Sequence, residues 1–329
     1  MTASSTINPS ISPIESNHPE PDRQARPASR IEILSTDLLD QHRPLVEELR
    51  QLAGKLSLDF GWHYLLDLTW IIHNLGPVSG KTVIDAGAGT GVLQWYLAEH
   101  GAQVISIDRL SRVNLALQFR GFYRVSGLRP QDLTPPGEIL RTCLRRGELR
   151  LLSRSLLAYL RGYQGKKQRG AVSIYNQNLK AMPEIPDSSV DAVVSVSSLE
   201  HNQPEGLQEV ARELERVLKA GGILLATLGA AKESDWFHEP SQGWCYTAES
   251  LRRLFDLPEN TPDNYDQHDQ LLEQITACAE LRDHLAHFYF KSGNNGMPWG
   301  KWHPQYQPVG VLKVKPGSQT TVQEDAHEA

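Results

Sequence analysis

The sequence predicts a doubly wound α/β fold, on three observations from one stretch of chain. "TVIDAG" (82–87) is a short strand that ends in glycine, "VLQWYLAEHG" (92–101) has apolar residues at helical spacing, and "QVISID" (103–108) is a second strand that ends in an acid. Strand, turn, helix and strand in this order build a parallel sheet with helices on both faces. A chain of 329 residues with 40% hydrophobic content can bury such a core.

Composition indicates a soluble enzyme or binding protein, and the chain ends look unstructured. The longest weakly polar run, 221–231, is shorter than the roughly 20 residues of a membrane span, and no basic, apolar leader opens the chain, so a cytoplasmic location is expected. Residues 1–30 and 316–329 are polar and lack apolar periodicity. The folded domain is therefore expected over 31–315, with N-terminal helices at 43–76.

The cysteines predict neither a disulfide framework nor a metal site. Cys143, Cys245 and Cys278 lie far apart, with no C-x-x-C pair. We expect thiols in a reducing compartment, and no metal.

The spacing of the glycines after the first strand distinguishes between the cofactors that could bind there. The pattern is Asp85-x-Gly87-x-Gly89-x-Gly91, whereas a dinucleotide fingerprint needs a glycine at position 92, which is Val92. Glycines let a ligand approach the main chain, and an acid at the end of the next strand can accept hydrogen bonds from ribose hydroxyls. Asp108 ends that strand, so the spacing favours a nucleoside cofactor other than a dinucleotide.

The motif "VIDAGAGTG" (83–91) resembles the first motif of the class I S-adenosylmethionine-dependent methyltransferases. Segments 178–201, 206–228 and 246–255 resemble later motifs of that family, in the same order. Asn178 stands where the family more often has Asp. The stretch "SSLEH", which ends at residue 201, resembles the type 11 subgroup, which acts on small metabolites, sugars and lipids.

The resemblance implies an architecture and a set of cofactor contacts. It implies a Rossmann-like, seven-stranded sheet with an antiparallel last pair of strands (about 286–291 and 309–314) and a helical insertion between strands 2 and 3. The implied cofactor is S-adenosyl-L-methionine. Asp108 would hold the ribose, Asn178 and the Leu179 amide the adenine, and Ser197 would lie near the methyl group. The full implied set is Asp85, Gly87, Ala88, Gly89, Gly91, Asp108, Arg109, Asn178, Leu179 and Ser197.

Absent motifs narrow the methyl acceptor to a hydroxyl. No "NPPY" or "DPPY" follows the fourth strand, and no Pro-Cys dipeptide stands there, which argues against amine and cytosine methylation. We expect O-methylation of a small, sugar-linked or lipid-linked acceptor, with His201 as the candidate base beside Glu200. His238 and His303 are alternative bases.

Aromatic residues in late loops predict a roomy, partly apolar acceptor pocket. Trp62 and His63 in the N-terminal helices are further candidates, although core packing is the simpler interpretation. The residues concerned are Trp62, His63, Trp236, Phe237, Trp244, Trp299, Trp302 and Tyr306.

A basic segment interrupts the domain at about 126–170. Between Arg109 and Gly170 the chain has 14 basic residues against three acidic ones, and the remainder is acidic. The segment is interpreted as a helical lid, a patch for anionic membrane, or a polyanion site; nucleic acid is least favoured. The functional alternatives are an RNA methyltransferase that grips its substrate here, and a non-catalytic protein that binds S-adenosylmethionine.

Overall fold

A computed structural model describes residues 28–145, Leu157, 170–283 and 302–317. Its strands are β1 Arg30–Ile33, β2 Thr82–Ala86, β3 Gln103–Asp108, β4 Arg124–Gly127, β5 Ala171–Asn176, β6 Val190–Val196, β7 Leu218–Ala230, β8 Trp236–His238, β9 Gly243–Tyr246 and β10 Pro308–Val314. Its helices are α1 Asp37–Gln41, α2 Arg43–Leu56, α3 Tyr64–Leu75, α4 Leu93–Glu99, α5 Leu117–Phe122, α6 Pro136–Arg145, α7 Pro204–Val217, α8 Ala248–Leu254, α9 His268–Ala277 and α10 Ala279–Asp283.

The described strands form one mixed sheet whose main path runs β1, β10, β7, β6, β2, β3, β5, β4. Strands β7 to β4 along this path are parallel, while β10 runs antiparallel to β7 and to β1. After the edge strand β1, the parallel part begins at β2 in the middle of the sheet, with β3, β5 and β4 on one side and β6 and β7 on the other. The carboxyl ends of β2 and β6 therefore flank a crevice, where open α/β sheets bind ligands. The predicted α/β fold class is confirmed.

The sheet contains ten described strands where seven were expected. β10 covers the predicted last strand, but its antiparallel partners are β7 and β1, which pairs Ile31 with Val311. The other predicted strand of that pair, 286–291, lies outside the described residues. Ile31 and Ile33 are buried and alternate with less buried neighbours, the two-residue period of an edge strand. A hairpin of β8 and β9 extends the sheet beside β7.

Helix α3 packs on the centre of the sheet, against β6, β7 and β10. It is buried on almost every side, with Leu66, Trp70 and Ile71 at most 1% exposed. The Trp70 ring leaves room for no side chain at Gly310, where a methyl group would lie 2.5 Å from the ring. Helices α2 and α3 coincide with the two N-terminal segments of helical periodicity, and they bring the loop between them, 57–63, to the crevice.

The region after β3 contains one short helix and an additional strand at the edge of the sheet. Only Leu117–Phe122 is helical, and the chain continues into β4, which pairs in parallel with β5 at the sheet edge. Leu110 is 67% exposed, so the apolar residues before position 117 do not form one buried face. The described part of the basic segment then contains a short 3-10 turn (Pro130–Asp132) and α6. Most of the predicted lid or polyanion site, 146–156 and 158–169, lies outside the described residues.

Within the described ranges, no helix has the length and apolar character needed to cross a membrane.

Candidate active site

A cavity of about 620 Å³ lies at the carboxyl ends of β2, β3 and β6. We call it the glycine-loop cavity. All ten residues predicted to bind the cofactor line it, together with the loop between α2 and α3. Its walls include Ser57, Leu58, Asp59, Phe60, Tyr64, Asp85, Gly87, Ala88, Gly89, Gly91, Asp108, Arg109, Asn178, Leu179, Ser197, Ser198 and His201. Its volume falls in the range of about 300–1,000 Å³ typical of ligand sites.

The glycine turn is an open backbone cradle that side chains would fill. Gly87 and Gly89 have φ values of +73° and +48°, a region that favours glycine. A methyl group on Gly87 would lie 2.2 Å from the Ser198 hydroxyl oxygen. The Gly87 and Ala88 amides both donate to the Ile107 carbonyl, at 2.9 and 3.0 Å, which ties the turn to β3. Backbone therefore borders this part of the cavity.

Asp108 closes the turn from the neighbouring strand. Its Oδ2 accepts from the Gly89 amide at 2.8 Å, and its Oδ1 accepts from the Leu110 amide at 2.7 Å. Each carboxylate oxygen has a second lone pair, so two further donors can bind. This arrangement suits the pair of hydroxyls of a ribose.

Asp85 lines the cavity, and the charge of the buried Arg112 acts on it. Asp85 is 2% exposed, and this burial raises its pKa to about 7, with Arg112 opposing the shift and Asp108 adding to it. Sequence reasoning missed Arg112, which is buried and donates to the Ser106 hydroxyl (2.5 Å) and to the carbonyls of Ser106 (2.7 Å) and Gly89 (3.2 Å). No periodicity or motif marks this arginine, since its partners come from the turn and the sheet.

The two asparagines at the end of β5, Asn176 and Asn178, have different surroundings. Asn176 accepts from the Arg112 amide (2.8 Å) and donates to the Asp132 carbonyl (2.8 Å), which fixes the loop after β3. Asn178 is exposed, lines the cavity, and its Oδ1 accepts from the Lys180 amide at 3.0 Å.

A second cavity of about 170 Å³ adjoins the first, and we call it the aromatic pocket. The two cavities share Tyr64, Ser197 and His201. The aromatic pocket is otherwise lined by Gly61, Trp62, His63, Glu200, Gly229, Ser241, Gly243, Trp244, Cys245 and Tyr306. Its volume matches one ring, because an engineered cavity of about 150 Å³ binds benzene. The expected acceptor pocket was roomier than this.

Ser197 lies between the cavities in a strained conformation. Its φ is +43°, uncommon for a residue with a side chain, and its hydroxyl donates to Glu200 Oε1 at 2.5 Å. The Ser197 amide donates to the Thr227 carbonyl of β7 at 3.1 Å, which holds this conformation. Strain of this kind concentrates at ligand sites, so its position is consistent with a functional junction.

The three predicted catalytic side chains have different surroundings. Glu200 is buried, its Oε2 has no described partner, and burial raises its pKa. His201 is exposed and its Nδ1 donates to the Gln242 carbonyl at 2.9 Å. His238 is buried with both ring nitrogens bonded, to the hydroxyl of Ser241 (2.7 Å) and the amide of Gln305 (3.2 Å). His238 lines neither cavity as the described residues define them, and burial lowers its pKa.

Only part of the predicted aromatic group reaches the pocket. Trp62, Trp244 and Tyr306 line it, whereas Trp302 packs on Trp62 and donates to the Thr276 carbonyl at 2.8 Å. Trp236 and Phe237 lie on β8 outside the pocket lining, and His303 is exposed. Trp299 lies outside the described residues.

His63 lines the aromatic pocket, as the sequence suggested, but its pairing with the buried Asp67 was not predicted. His63 Nδ1 and Asp67 Oδ2 are 2.7 Å apart, at 3% and 0% side-chain exposure. The i, i+4 spacing at the start of a helix was a visible signal. This spacing could not be connected with the site from the sequence, because no local pattern shows that α3 packs beside the end of β6.

Comparison with known proteins supports a methyltransferase. A family model described as a methyltransferase domain matches residues 138–226, from α6 to β7. This match supports an S-adenosylmethionine-dependent methyltransferase of the type 11 kind, with S-adenosyl-L-methionine as the cofactor.

Individual relatives of this methyltransferase are distant. The ubiquinone biosynthesis O-methyltransferase of Leptothrix cholodnii is 43% identical over 47 residues, which is 14% of this chain and 20% of the relative. The match thus spans about a fifth of that relative's length.

The solved structures to which this chain is similar include three with TM-scores below 0.5. The cyclase SpnF has a TM-score of 0.46 at 19% identity, with 88% of this chain and 99% of SpnF covered. The 1,6-didemethyltoxoflavin-N1-methyltransferase of Burkholderia thailandensis has a TM-score of 0.39 at 12% identity, with 85% and 86% covered. A phosphoethanolamine N-methyltransferase of Haemonchus contortus has a TM-score of 0.42 at 16% identity, with 85% and 60% covered.

The residues of the glycine-loop cavity fit this cofactor chemically. A side-chain-free cradle at Gly87 and Gly89 admits close backbone contact, and Asp108 has free lone pairs for hydroxyls. The buried Asp85 carboxylate is stabilised in its charged form by a nearby cation, and the cofactor carries positive charge at its methionine end.

Proposed function

We propose that this methyltransferase acts on a hydroxyl of a small acceptor, or of a ring-sized group linked to a sugar or lipid. The observation that carries the proposal is that the two cavities meet at Ser197, His201 and Tyr64. Methyl transfer needs the attacking oxygen, the methyl carbon and the leaving sulfur in line, which requires two adjoining binding sites. The cofactor, when bound, supplies the activated methyl group.

Each part of the cofactor is assigned to the residues that line the corresponding part of the glycine-loop cavity. Asp85 and the backbone of Gly87 and Gly89 hold the methionine end, and Asp108 holds the ribose hydroxyls. Asn178 and the Leu179 amide hold the adenine. Ala88, Gly91 and Arg109 complete the wall, and Ser197 faces the methyl group across the junction.

The aromatic pocket is suited to a ligand that has both donors and acceptors. Two of its buried polar atoms have no described hydrogen-bond partner: Glu200 Oε2 and Trp244 Nε1. Buried polar atoms are satisfied in most native structures, so two such atoms in one pocket favour a ligand that pairs with them. Glu200 accepts from a ligand hydroxyl, while the Trp244 indole donates to a ligand oxygen.

The short match to an O-methyltransferase is compatible with a hydroxyl acceptor. His201, the base predicted from the sequence, lies at the junction with Glu200 beside it, and His238 was the predicted alternative.

The test is methyl transfer from S-adenosylmethionine to a panel of phenols, sugars and polyols, with S-adenosylhomocysteine formation measured by mass spectrometry. Product formation that Asp108→Ala reduces at limiting cofactor supports the proposal. Tight cofactor binding without turnover on any hydroxyl would instead favour a non-catalytic binding protein. Turnover on RNA, with steeply salt-dependent binding, would favour the RNA methyltransferase alternative.

A further inference from the structure

We propose that His63, oriented by Asp67, is the general base that takes the proton from the acceptor hydroxyl. This inference rests on the proposed function and assigns the proton to a residue of the N-terminal helices.

The geometry fixes which ring nitrogen is available. With Asp67 ionised, its carboxylate only accepts hydrogen bonds, so in the proposed state the Nδ1 of His63, 2.7 Å from Asp67 Oδ2, carries the hydrogen. Nε2 then has the free lone pair. It is 3.4 Å from the Tyr306 hydroxyl, a long contact, and His63 lines the aromatic pocket together with Ser197 and Glu200. An acceptor hydroxyl can replace Tyr306 as the donor to Nε2.

Stability alone does not account for the pair. Asp67 is fully buried, and burial raises its pKa while His63 and, to a smaller extent, the Thr227 hydroxyl oppose the shift. Buried ion pairs are often no more stable than apolar residues of similar volume. A buried base held by a carboxylate, by contrast, is a recurrent catalytic arrangement because the carboxylate stabilises the imidazolium.

The other candidate bases are less well placed. His201 is exposed, so water competes for its free nitrogen, and no carboxylate among its described hydrogen-bond partners orients it. His238 has partners on both nitrogens and lies outside the pocket lining. Glu200 already accepts from Ser197 through Oε1, which suits it to hold the acceptor through Oε2.

The step balances with these groups. As the acceptor oxygen forms its bond to the methyl carbon, the carbon–sulfur bond breaks and the sulfur keeps that electron pair. The hydroxyl proton moves to His63 Nε2. The resulting imidazolium is paired with Asp67 and returns the proton to water after product leaves.

The first test is the tautomer of His63, read by long-range nitrogen–proton NMR of the full chain labelled with nitrogen-15. We expect hydrogen on Nδ1 and a bare Nε2. Asp67→Asn should invert the assignment, because the new amide can donate to Nδ1. A wild-type ring with hydrogen on Nε2 overturns the proposal, since that nitrogen could not accept a proton.

The second test uses 4-nitrophenol, a ring-sized phenol whose ionised form absorbs visible light, with S-adenosylhomocysteine present and at a pH below the pKa of the free phenol. Wild-type protein should increase the phenolate absorbance. His63→Gln should lower that increase at least tenfold, in keeping with the roughly 100-fold or larger contribution of general bases. His73→Gln, an exposed histidine on the same helix, is the matched control and should match wild type.

Calorimetry with S-adenosylhomocysteine separates the two proposals. His63→Gln and wild type should bind it within about twofold, because His63 lines only the aromatic pocket. If wild type fails to bind it, the proposed function fails. If both bind it but ionise 4-nitrophenol equally, or neither ionises it, the assignment of His63 fails alone.

Discussion

Replacing Gly87 by alanine tests whether the glycine turn is held open by a close contact and not only by backbone flexibility. Gly87 has a φ of +73°, and an added methyl group would lie 2.2 Å from Ser198 Oγ and 2.5 Å from Ser198 Cβ. Both atoms belong to the loop that follows β6. The substitution therefore has a conformational cost and a steric cost.

The magnitude follows from the two costs. A left-handed conformation costs a residue with a side chain about 1–2 kcal/mol, and overpacking costs typically about 1–3 kcal/mol. Gly87→Ala should lower the free energy of unfolding by about 2–5 kcal/mol. Gly80 has a similar φ of +77° with nothing within 4 Å of the added methyl group, so Gly80→Ala should lose only about 1–2 kcal/mol.

Urea denaturation followed by circular dichroism measures both variants, and Ser198→Gly in the Gly87→Ala background should recover the steric part. Equal losses for Gly80→Ala and Gly87→Ala, with no recovery in the double variant, would refute the contact between the two loops.

Three further substitutions test Asp85, Arg112 and the packing of α3 on the sheet. Burial raises the folded-state pKa of Asp85 to about 7, above the unfolded value of 3.8, so the folded state binds the proton more tightly. The free energy of unfolding should therefore fall as the pH rises between these two values and stay level above about 7. Asp85→Asn should remove this slope in urea denaturation at several pH values, and a persistent slope would argue against the assignment. Arg112→Met removes the buried cation that acts on Asp85 and Asp108, and urea denaturation should show a loss of about 3–5 kcal/mol in the free energy of unfolding. An unchanged free energy of unfolding would mean that the two carboxylates do not need this cation. Gly310→Ala places a methyl group 2.5 Å from the Trp70 ring and should lower the free energy of unfolding by about 1–3 kcal/mol. Gly54→Ala is the control, because its added methyl group meets nothing within 4 Å. A Gly310→Ala variant as stable as wild type would mean that α3 can shift.

The wall of the glycine-loop cavity was predictable because its residues follow strand ends. In a parallel sheet the carboxyl ends of β2, β3, β5 and β6 lie at one edge, so a motif after each strand joins one site without knowledge of the packing. Gly87, Asp108, Asn178 and Ser197 are such residues, and all line the same cavity.

Contacts across long stretches of chain were not predictable. The pairing of Ile31 with Val311 joins the two ends of the domain, and no local pattern specifies which strand edge β1 meets. The docking of α3 brings His63 beside Glu200 for the same reason. Arg112 was missed because its partners are backbone carbonyls and a serine, which leave no sequence pattern.

Calorimetric titration of the purified protein with S-adenosylmethionine, with NAD as the control ligand, tests the central claim most directly. The account predicts that wild type binds S-adenosylmethionine and not NAD, and that Asp108→Ala weakens binding at least tenfold through loss of charged hydrogen bonds worth about 1.5–3 kcal/mol each. Absence of binding to the wild type, or equal affinity in the Asp108→Ala variant, would contradict the placement of the cofactor in the glycine-loop cavity.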